Sequence, residues 1–327
     1  MMNPAVSCSG NTCRAVIPFD ARTPEEIIKE FLIEAAGALS PRRITRSEGM
    51  SSFVRLFHTV ILPVATMREK PDANSTIASQ AIFSEKVTLL EEEGEWVKIE
   101  TIVDKYQGWT KKEVLFSSQT ASQRTKEVTV TRLAAHLYGV TDTELGPILT
   151  LPFESRFELV EELPQGDGRW LKVKLADGTH AFIQRGDVAF SQPKLSRQEM
   201  VVFSKQFLGL PYTWGGRSSF GYDCSGFVQM LYRQMGVFLP RDSKDQIKWD
   251  GFRSIELSEL ETGDLIFWGK NEHKINNVGM YIGSGEFIHT IASVEKKPYL
   301  RISSLNDNAW DAKPENYHPY RAARTLK

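Results

Sequence analysis

Residues 211–227, PYTWGGRSSFGYDCSGF, decide how the rest of the chain is read. Cys224 stands between Asp223 and Ser225, after a loop of glycines, serines and aromatics. The following SGFVQMLYRQMG has helical spacing: Phe227, Leu231 and Met235 recur every four residues, and Gly236 stands where a C-terminal glycine belongs. The pattern places the thiol at a helix N-terminus, where orphan N–H groups and the helix dipole favour a thiolate, the nucleophilic form. Most free cysteines instead fill a core as small apolar side chains, but Asp, Ser and Gly are not the neighbours of such a residue. The stretch predicts a reactive cysteine.

The 327 residues suffice for two or three domains, each with its own core. The 40 basic and 41 acidic side chains nearly cancel, which argues against a nucleic-acid or anionic-membrane partner. Besides Cys224 there are only Cys8 and Cys13, without a CxxC pair or nearby histidines. That count builds neither a zinc site nor a disulfide scaffold and fits a reducing compartment. The N-terminus, MMNPAVSCSGNTCRAVIPFD, lacks the basic region and apolar run of a secretory signal. The run VRLFHTVILPVATM is too short to span a bilayer and contains His and Pro. We expect a soluble, cytoplasmic protein with no membrane segment. No ligand-spaced cluster or phosphate-cradling loop implies a metal or an organic cofactor.

Residues 1–22 read as irregular, and Thr23-Pro24-Glu25-Glu26 opens a predicted helix over IIKEFLIEAAGAL with a capping threonine, first-turn proline and acids on the dipole. From about Leu62 the texture becomes short alternating strands. In AIFSEKVTLLEEEGEWVKIE, Val87 and Leu89 precede a charged, glycine-bearing turn, and Val97 and Ile99 follow it, a hairpin pattern. RFELVEELPQGDGRWLKVKLADGTHAFIQRGDVAF repeats the layout: GEWVKI matches GRWLKV, and QGWTKKEVLF matches HAFIQRGDVAF. The matched order predicts an internal duplication of a small β-barrel, roughly 60–70 residues per copy. After a linker at FSQPKLSRQEM come a predicted amphipathic helix, RQEMVVFSKQFLGL, and the cysteine helix. A short helix in LPRDSKDQIKWDG follows, then strands in ETGDLIFWG, NVGMYIGSGEFIHT, PYLRISSL and YHPYRAARTL. Helices followed by an antiparallel sheet make an α+β domain.

A cysteine nucleophile needs a base within hydrogen-bond reach and a group to orient that base. Of six histidines, His273, His289 and His318 lie in the cysteine's domain, and His289 ends a predicted hairpin that begins with VGMYIG. His58, His136 and His180 lie outside it and receive no role; His318 reads as structural. Trp214, Trp249, Trp268 and Trp310 read as core or groove wall.

Four ordered motifs, DCSGFV, LPRDS, GDLIFW and VGMYIGSGEFIH, resemble the NlpC-type cysteine peptidases of bacterial cell-wall turnover. The resemblance covers residues 195–325, and it implies a pared-down papain-like fold. The duplicated barrels resemble bacterial SH3-like barrels, as found in family members that cut γ-D-glutamyl-diamino-acid bonds of muropeptides. The implied organisation is an N-terminal extension with one helix (1–60), a first barrel (61–120), a second barrel (125–192) and the peptidase domain (195–327). Carried over by position, Cys224 is the nucleophile and Tyr212 supports the oxyanion. Asp223 and Ser225 bind the free amine of the peptide's N-terminal L-alanine, while Arg241 and Ser243 line the groove. Tyr106 and Glu85 of the first barrel close the amine pocket. A buried ammonium needs carboxylates and hydroxyls, because unpaired burial costs several kcal/mol.

One position departs from the family. Where its catalytic histidine immediately precedes V-G-M/I-Y, this chain has Asn277, and the second polar member is present as His289. An amide cannot take a thiol proton, and loss of a general base typically costs about two to four orders of magnitude in rate. Three readings follow. His289 is the base and Asn277 orients it; or His273 folds back from KNEHKINN; or the domain binds muropeptides without cleaving them. An amidase or acyltransferase on the same fold is a further alternative.

Overall fold

The computed structural model describes residues 6–9, 12–15, 56–119, 126–162, 168–292, 298–306 and 320–327. The chain divides into two units, Met1–Phe53 and Val54–Lys327. In the first, β1 (Val6–Ser9) and β2 (Thr12–Ala15) pair antiparallel, with Cys8 opposite Cys13 in register. This corrects the irregular reading of residues 1–22. Strands of four residues, VSCS and TCRA, carry no alternating apolar signal. The helix predicted from Thr23 lies outside the described residues.

The second unit begins with two barrels of identical topology. The first comprises β3 (Phe57–Val60), β4 (Val64–Arg68), β5 (Ile77–Ile82), β6 (Lys86–Glu93), β7 (Trp96–Thr101), β8 (Gln107–Lys111) and β9 (Leu115–Ser118), in spatial order 5-4-8-7-6-3-9. The second comprises β10 (Glu127–Val130), β11 (Ala134–Tyr138), β12 (Leu149–Pro152), β13 (Arg156–Glu162), β14 (Trp170–Lys174), β15 (His180–Gln184) and β16 (Val188–Ala189), in order 12-11-15-14-13-10-16. Even the irregularities recur: a register shift at Leu89/Glu91 returns at Leu159/Glu161, and a non-glycine residue at positive φ, Ser84, returns as Glu154. The first sheet starts at Phe57, upstream of the texture change at Leu62, because β3 closes the barrel between β6 and β9.

The turn carrying Ser84 and Glu154 links the modules. Phe83 leaves its own barrel to join the core of the second, with its ring 5.3 Å from that of Phe157. Its counterpart Phe153 enters the core of the following α+β domain, against Phe203 and Phe207. Each barrel therefore plugs one aromatic side chain into the next module, and burying such a ring stabilises the junction by about 1.5–3 kcal/mol.

The α+β domain starts with α1 (Arg197–Ser204), whose capping box joins Ser196 and Glu199, and a two-stranded ribbon, β17 (Arg217–Ser218) and β18 (Gly221–Tyr222). The cysteine helix α2 (Cys224–Gln234) ends before Gly236, which takes the positive φ expected of a C-terminal glycine, and α3 (Ser243–Gln246) follows. The sheet holds β19 (Phe252–Ile255), β20 (Leu265–Gly269), β21 (Ile275–Gly283), β22 (Glu286–His289), β23 (Arg301–Ser304) and β24 (Tyr320–Leu326), in order 19-24-20-21-22-23. Sequence reading omits β19, a four-residue edge strand whose only neighbour, β24, is the last strand of the chain. Phe227 and Leu231 of α2 pack with Leu265, Phe267, Val278 and Met280 on one sheet face. The opposite face carries a separate cluster of Ile266, Trp268 and Phe287. Among the described residues no helix is long and apolar enough to cross a membrane.

Candidate active site

Cys224 is the first residue of α2. Asp223 caps the helix, its Oδ1 accepting the Gly226 N–H at 2.7 Å. A Cβ on Gly226 would run into the Gly216 carbonyl oxygen, so the glycine of DCSG lets the helix start press against the preceding loop. The half-buried sulfur lies 4.0 Å from the Asn276 carbonyl oxygen, and the backbone N–H groups of Val278 and Ser225 are near enough to favour its charged form. It thus docks on β21 just upstream of Met280, where the pairing of β21 with β22 begins.

Burial pushes the Cys224 thiol up to about 12, and the negative Asp223 beside it acts in the same direction. The two N–H groups and Arg241 pull the other way and do not prevail. The thiolate expected from a helix N-terminus is therefore not the resting state. The capping residue is itself an anion next to the sulfur, which a reading of the dipole alone leaves out.

Asn277 and His289 share the sheet face that carries Trp268 and Phe287. Asn277 pairs with Trp268 across β20 and β21, and strand alternation turns Val278 and Met280 to the α2 side. Asn277 is 5% exposed, and its Oδ1 accepts the Val278 N–H at 2.9 Å. His289 is fully buried beside the Phe287 ring, and its Nε2 is 3.0 Å from Ser303 Oγ. A Cβ on Gly279 would stand 3.0 Å from His289 Cβ, so the glycine of VGMY gives that histidine its room. His273 is exposed on the turn before β21, its Nε2 3.4 Å from Glu272 Oε1. His318 and Trp310 lie outside the described residues.

Arg241, 2% exposed, organises the polar floor. Its two Nη groups donate to Asp223 Oδ1 and Oδ2 at 3.0 and 2.6 Å, Nη1 also to Ser225 Oγ at 2.9 Å, and Nε to Ser79 Oγ of the first barrel at 3.0 Å. Burial works against its charge, but Asp223 outweighs it and holds the guanidinium above its ordinary value. Asp223 Oδ1 serves three donors, whereas Oδ2 has Arg241 alone. Asp242, next in LPRDS, accepts the Tyr106 hydroxyl at 3.3 Å and lies 3.2 Å from Lys244 Nζ. Ser243 opens α3 immediately after it.

Tyr106 comes from a first-barrel loop held by Thr101, whose hydroxyl bonds Asp104 and accepts the Tyr106 N–H at 3.0 Å. Lys105 before it adopts φ 56°, a costly left-handed conformation that aims Tyr106 at the peptidase domain. Burial, then Asp242, raises the Tyr106 phenol. Burial, then Cys224 and Asp223, raises that of Tyr212, whose backbone bridges Tyr222, two residues before the cysteine.

Glu85 stands apart from this cluster. Both its oxygens bind Arg217, at 2.7 and 2.9 Å, and Arg217 also lies 3.8 Å from Asp104. Burial opposes the charge of Asp104, yet Arg217, with hydrogen bonds from Thr101 and Gln229, holds its carboxyl below the ordinary value. The structure thus brings together Cys224, Asp223, Ser225, Arg241, Tyr106 through Asp242, and Tyr212 through its bridge to Tyr222, with Asn277 next to the Asn276 carbonyl that the sulfur approaches. Sequence reading misses Asp242, Ser79 and Ser303. Asp242 alone had a signal, as the acid between Arg241 and Ser243. Among the described residues no group of His, Cys, Asp and Glu is placed to hold a metal.

The sequence pattern of the NlpC/P60 family matches residues 209–316, and that of the bacterial dipeptidyl-peptidase SH3 domain matches residues 67–115. The chain is 33% identical over 233 residues to a γ-D-glutamyl-L-lysine dipeptidyl-peptidase of Bacillus cereus, covering 65% of this chain and 67% of the relative. It is 32% identical to the enzyme of the same name from Bacillus subtilis, covering 66% and 73%. The chain belongs to the NlpC/P60 family. A crystal structure of an NlpC/P60 family protein from Bacillus cereus superimposes with a TM-score of 0.69 at 26% identity, covering 83% of this chain and 99% of the other. Peptidases of the NlpC/P60 family are cysteine peptidases, and Cys224 lies within the residues that match the family.

Proposed function

We propose that the protein is a cysteine peptidase that hydrolyses the γ-D-glutamyl to diamino-acid bond of peptidoglycan stem peptides with a free N-terminal L-alanine. The observation that carries this reading is the contact of Tyr106, from the first barrel, with Asp242, the neighbour of the Arg241 that binds the Asp223 capping the cysteine helix. Glu85 is engaged with Arg217, so the carboxylates left for a substrate ammonium are Asp242 and the Oδ2 edge of Asp223. A peptide extended beyond its amine on that side meets the first barrel, which favours processed peptides over intact wall.

Cys224 sulfur attacks the γ-carbonyl of D-glutamate while its proton passes to His289. The tetrahedral oxyanion is met by the Ser225 N–H at the helix start and by Tyr212. Collapse forms a thioester with L-Ala-γ-D-Glu, and the diamino-acid nitrogen leaves with the proton from His289. Water, activated by His289, then releases the dipeptide. Because the thiol rests neutral, proton transfer accompanies attack rather than preceding it. The reading includes a cytoplasmic site of action, checked by cell fractionation, where the substrate is free peptide.

Incubation with the free tripeptide L-Ala-γ-D-Glu-diamino acid tests the proposal. The native protein should release the dipeptide, and Cys224→Ala and His289→Ala should each abolish release; unchanged turnover in Cys224→Ala sinks the reading. A second reading has its own support in Asn277 and in the raised Cys224 thiol. It is a muropeptide-binding module, which would bind the tripeptide with no turnover.

A further inference from the structure

We propose that Asn277 is a ligand-binding residue whose Nδ2 amide donates a hydrogen bond to an oxygen acceptor, carbonyl or carboxylate, of the peptide held against Cys224. Its Oδ1 accepts the Val278 N–H at 2.9 Å, which fixes the sense of the amide: turned over, the NH2 group would face another donor. Nδ2 is then buried with no acceptor among the described residues. A native protein rarely leaves a donor in that state, and an orphan of this kind at a site calls for a partner that arrives from outside.

The position of the orphan says what that partner is. The Cys224 sulfur lies 4.0 Å from the carbonyl oxygen of Asn276, and Asn277 follows it with Oδ1 on the Val278 N–H, so the amide belongs to the strand segment that meets the nucleophile. Ser225 N–H, one of the orphan donors of the helix start, directly follows the cysteine. A side-chain donor on the strand and a backbone donor at the helix start therefore stand on the two elements that meet at the thiol, and an oxygen carrying partial or full negative charge satisfies them. A primary amide nitrogen is donor-only and does not titrate, so it serves this role at any pH, as an imidazole alternating between donor and acceptor does not. The residue that removes a base from the site thus supplies a fixed donor to it.

The inference rests on the peptide reading of the site but not on turnover, and its test separates the two. In full-length Cys224→Ala protein, which holds chemistry off, the affinity for the free tripeptide is measured by titration calorimetry, alone and combined with Asn277→Ala, Asn277→Asp or Asn277→His. Asn277→Ala should weaken binding roughly tenfold, the scale of one hydrogen bond to a charged or strongly polarised group. Asn277→Asp, the same shape with an acceptor in place of the donor, should weaken it further. Asn277→His, which restores an N–H, should bind within a few-fold of the parent. Equal affinity in the parent, Asn277→Ala and Asn277→Asp overturns the inference. If Asn277→Ala fails to fold by circular dichroism, the Asp and His variants decide: parity between those two overturns it equally. Absence of tripeptide binding by the parent itself rejects the peptide reading, and the proposed ligand with it.

Discussion

The two barrels share every strand in the same order, the same register shift and the same strained turn, yet they do different work. The second grips the back of the cysteine helix. Glu154 binds Arg233 Nε at 2.9 Å, with a second contact to Nη2, and accepts Gln234 Nε2 at 2.7 Å, while Phe153 enters the core beside Phe207. The first lies along the site. Its β5 offers the Ile77 carbonyl to Trp214 Nε1 at 3.0 Å, Gln80 to the Arg217 N–H at 2.9 Å and Ser79 to Arg241, and its loop delivers Tyr106. The same turn docks both, through Glu85 in one copy and Glu154 in the other. Duplication has thus supplied one copy that shapes the groove and one that anchors the helix bearing the nucleophile.

The largest effect that bears on this division concerns the chemistry both copies support. Asn277→His should raise the rate of dipeptide release by about two to four orders of magnitude, the usual worth of a positioned base; a steady-state assay reads it directly. No gain would mean that His289 already supplies full base catalysis. Next comes the thiol itself. With its value pushed up to about 12 from an ordinary 9.0, Cys224 is neutral at pH 7, and only the thiolate alkylates. Its iodoacetamide reaction should be roughly a thousandfold slower than that of a free thiol at pH 7 and rise about tenfold per pH unit towards pH 12. A rate that levels off near neutrality would reveal a low-lying thiolate and a direct imidazole partner.

The division between barrels is tested by their ion pairs. Breaking a buried pair costs about 3–5 kcal/mol, so Glu154→Ala and Glu85→Ala should each lower Tm clearly in calorimetry. Burial opposes the Glu154 charge, but Arg233 prevails and holds its carboxyl below the ordinary value, so this contribution is present at neutral pH and fades as acidification protonates the carboxylate. Glu154→Ala should leave KM unaltered in the folded protein, whereas Glu85→Ala should raise it by loosening the groove wall. Equal KM effects would erase the distinction. The smallest effect is expected for Tyr106→Phe: KM up by about tenfold with Tm unchanged, if its hydroxyl serves the substrate through Asp242.

Much of the fold was legible because it rests on local pattern. The four-residue spacing after Cys224 and Gly236 mark α2, and GEWVKI against GRWLKV marks the duplication. What joins the modules was not legible. Phe83 and Phe153 look like any strand-end aromatics, and only the docked structure shows each leaving its own barrel. Glu85 reads as a substrate carboxylate until Arg217, 132 residues away, takes both its oxygens. The sulfur's environment was hidden for a similar reason. Asp223 is a good cap in one dimension and an anion against the thiol in three.

The most direct test of the account is the ratio of kcat/KM for the free-amine tripeptide to that for the same tripeptide N-acetylated. If the first barrel and the LPRDS carboxylate form a closed ammonium site, acetylation leaves buried polar groups unpaired and should lower kcat/KM by about 10²-fold or more, and Tyr106→Phe should narrow that ratio. Comparable turnover of the two peptides, or a ratio untouched by Tyr106→Phe, would contradict a first barrel that selects substrate.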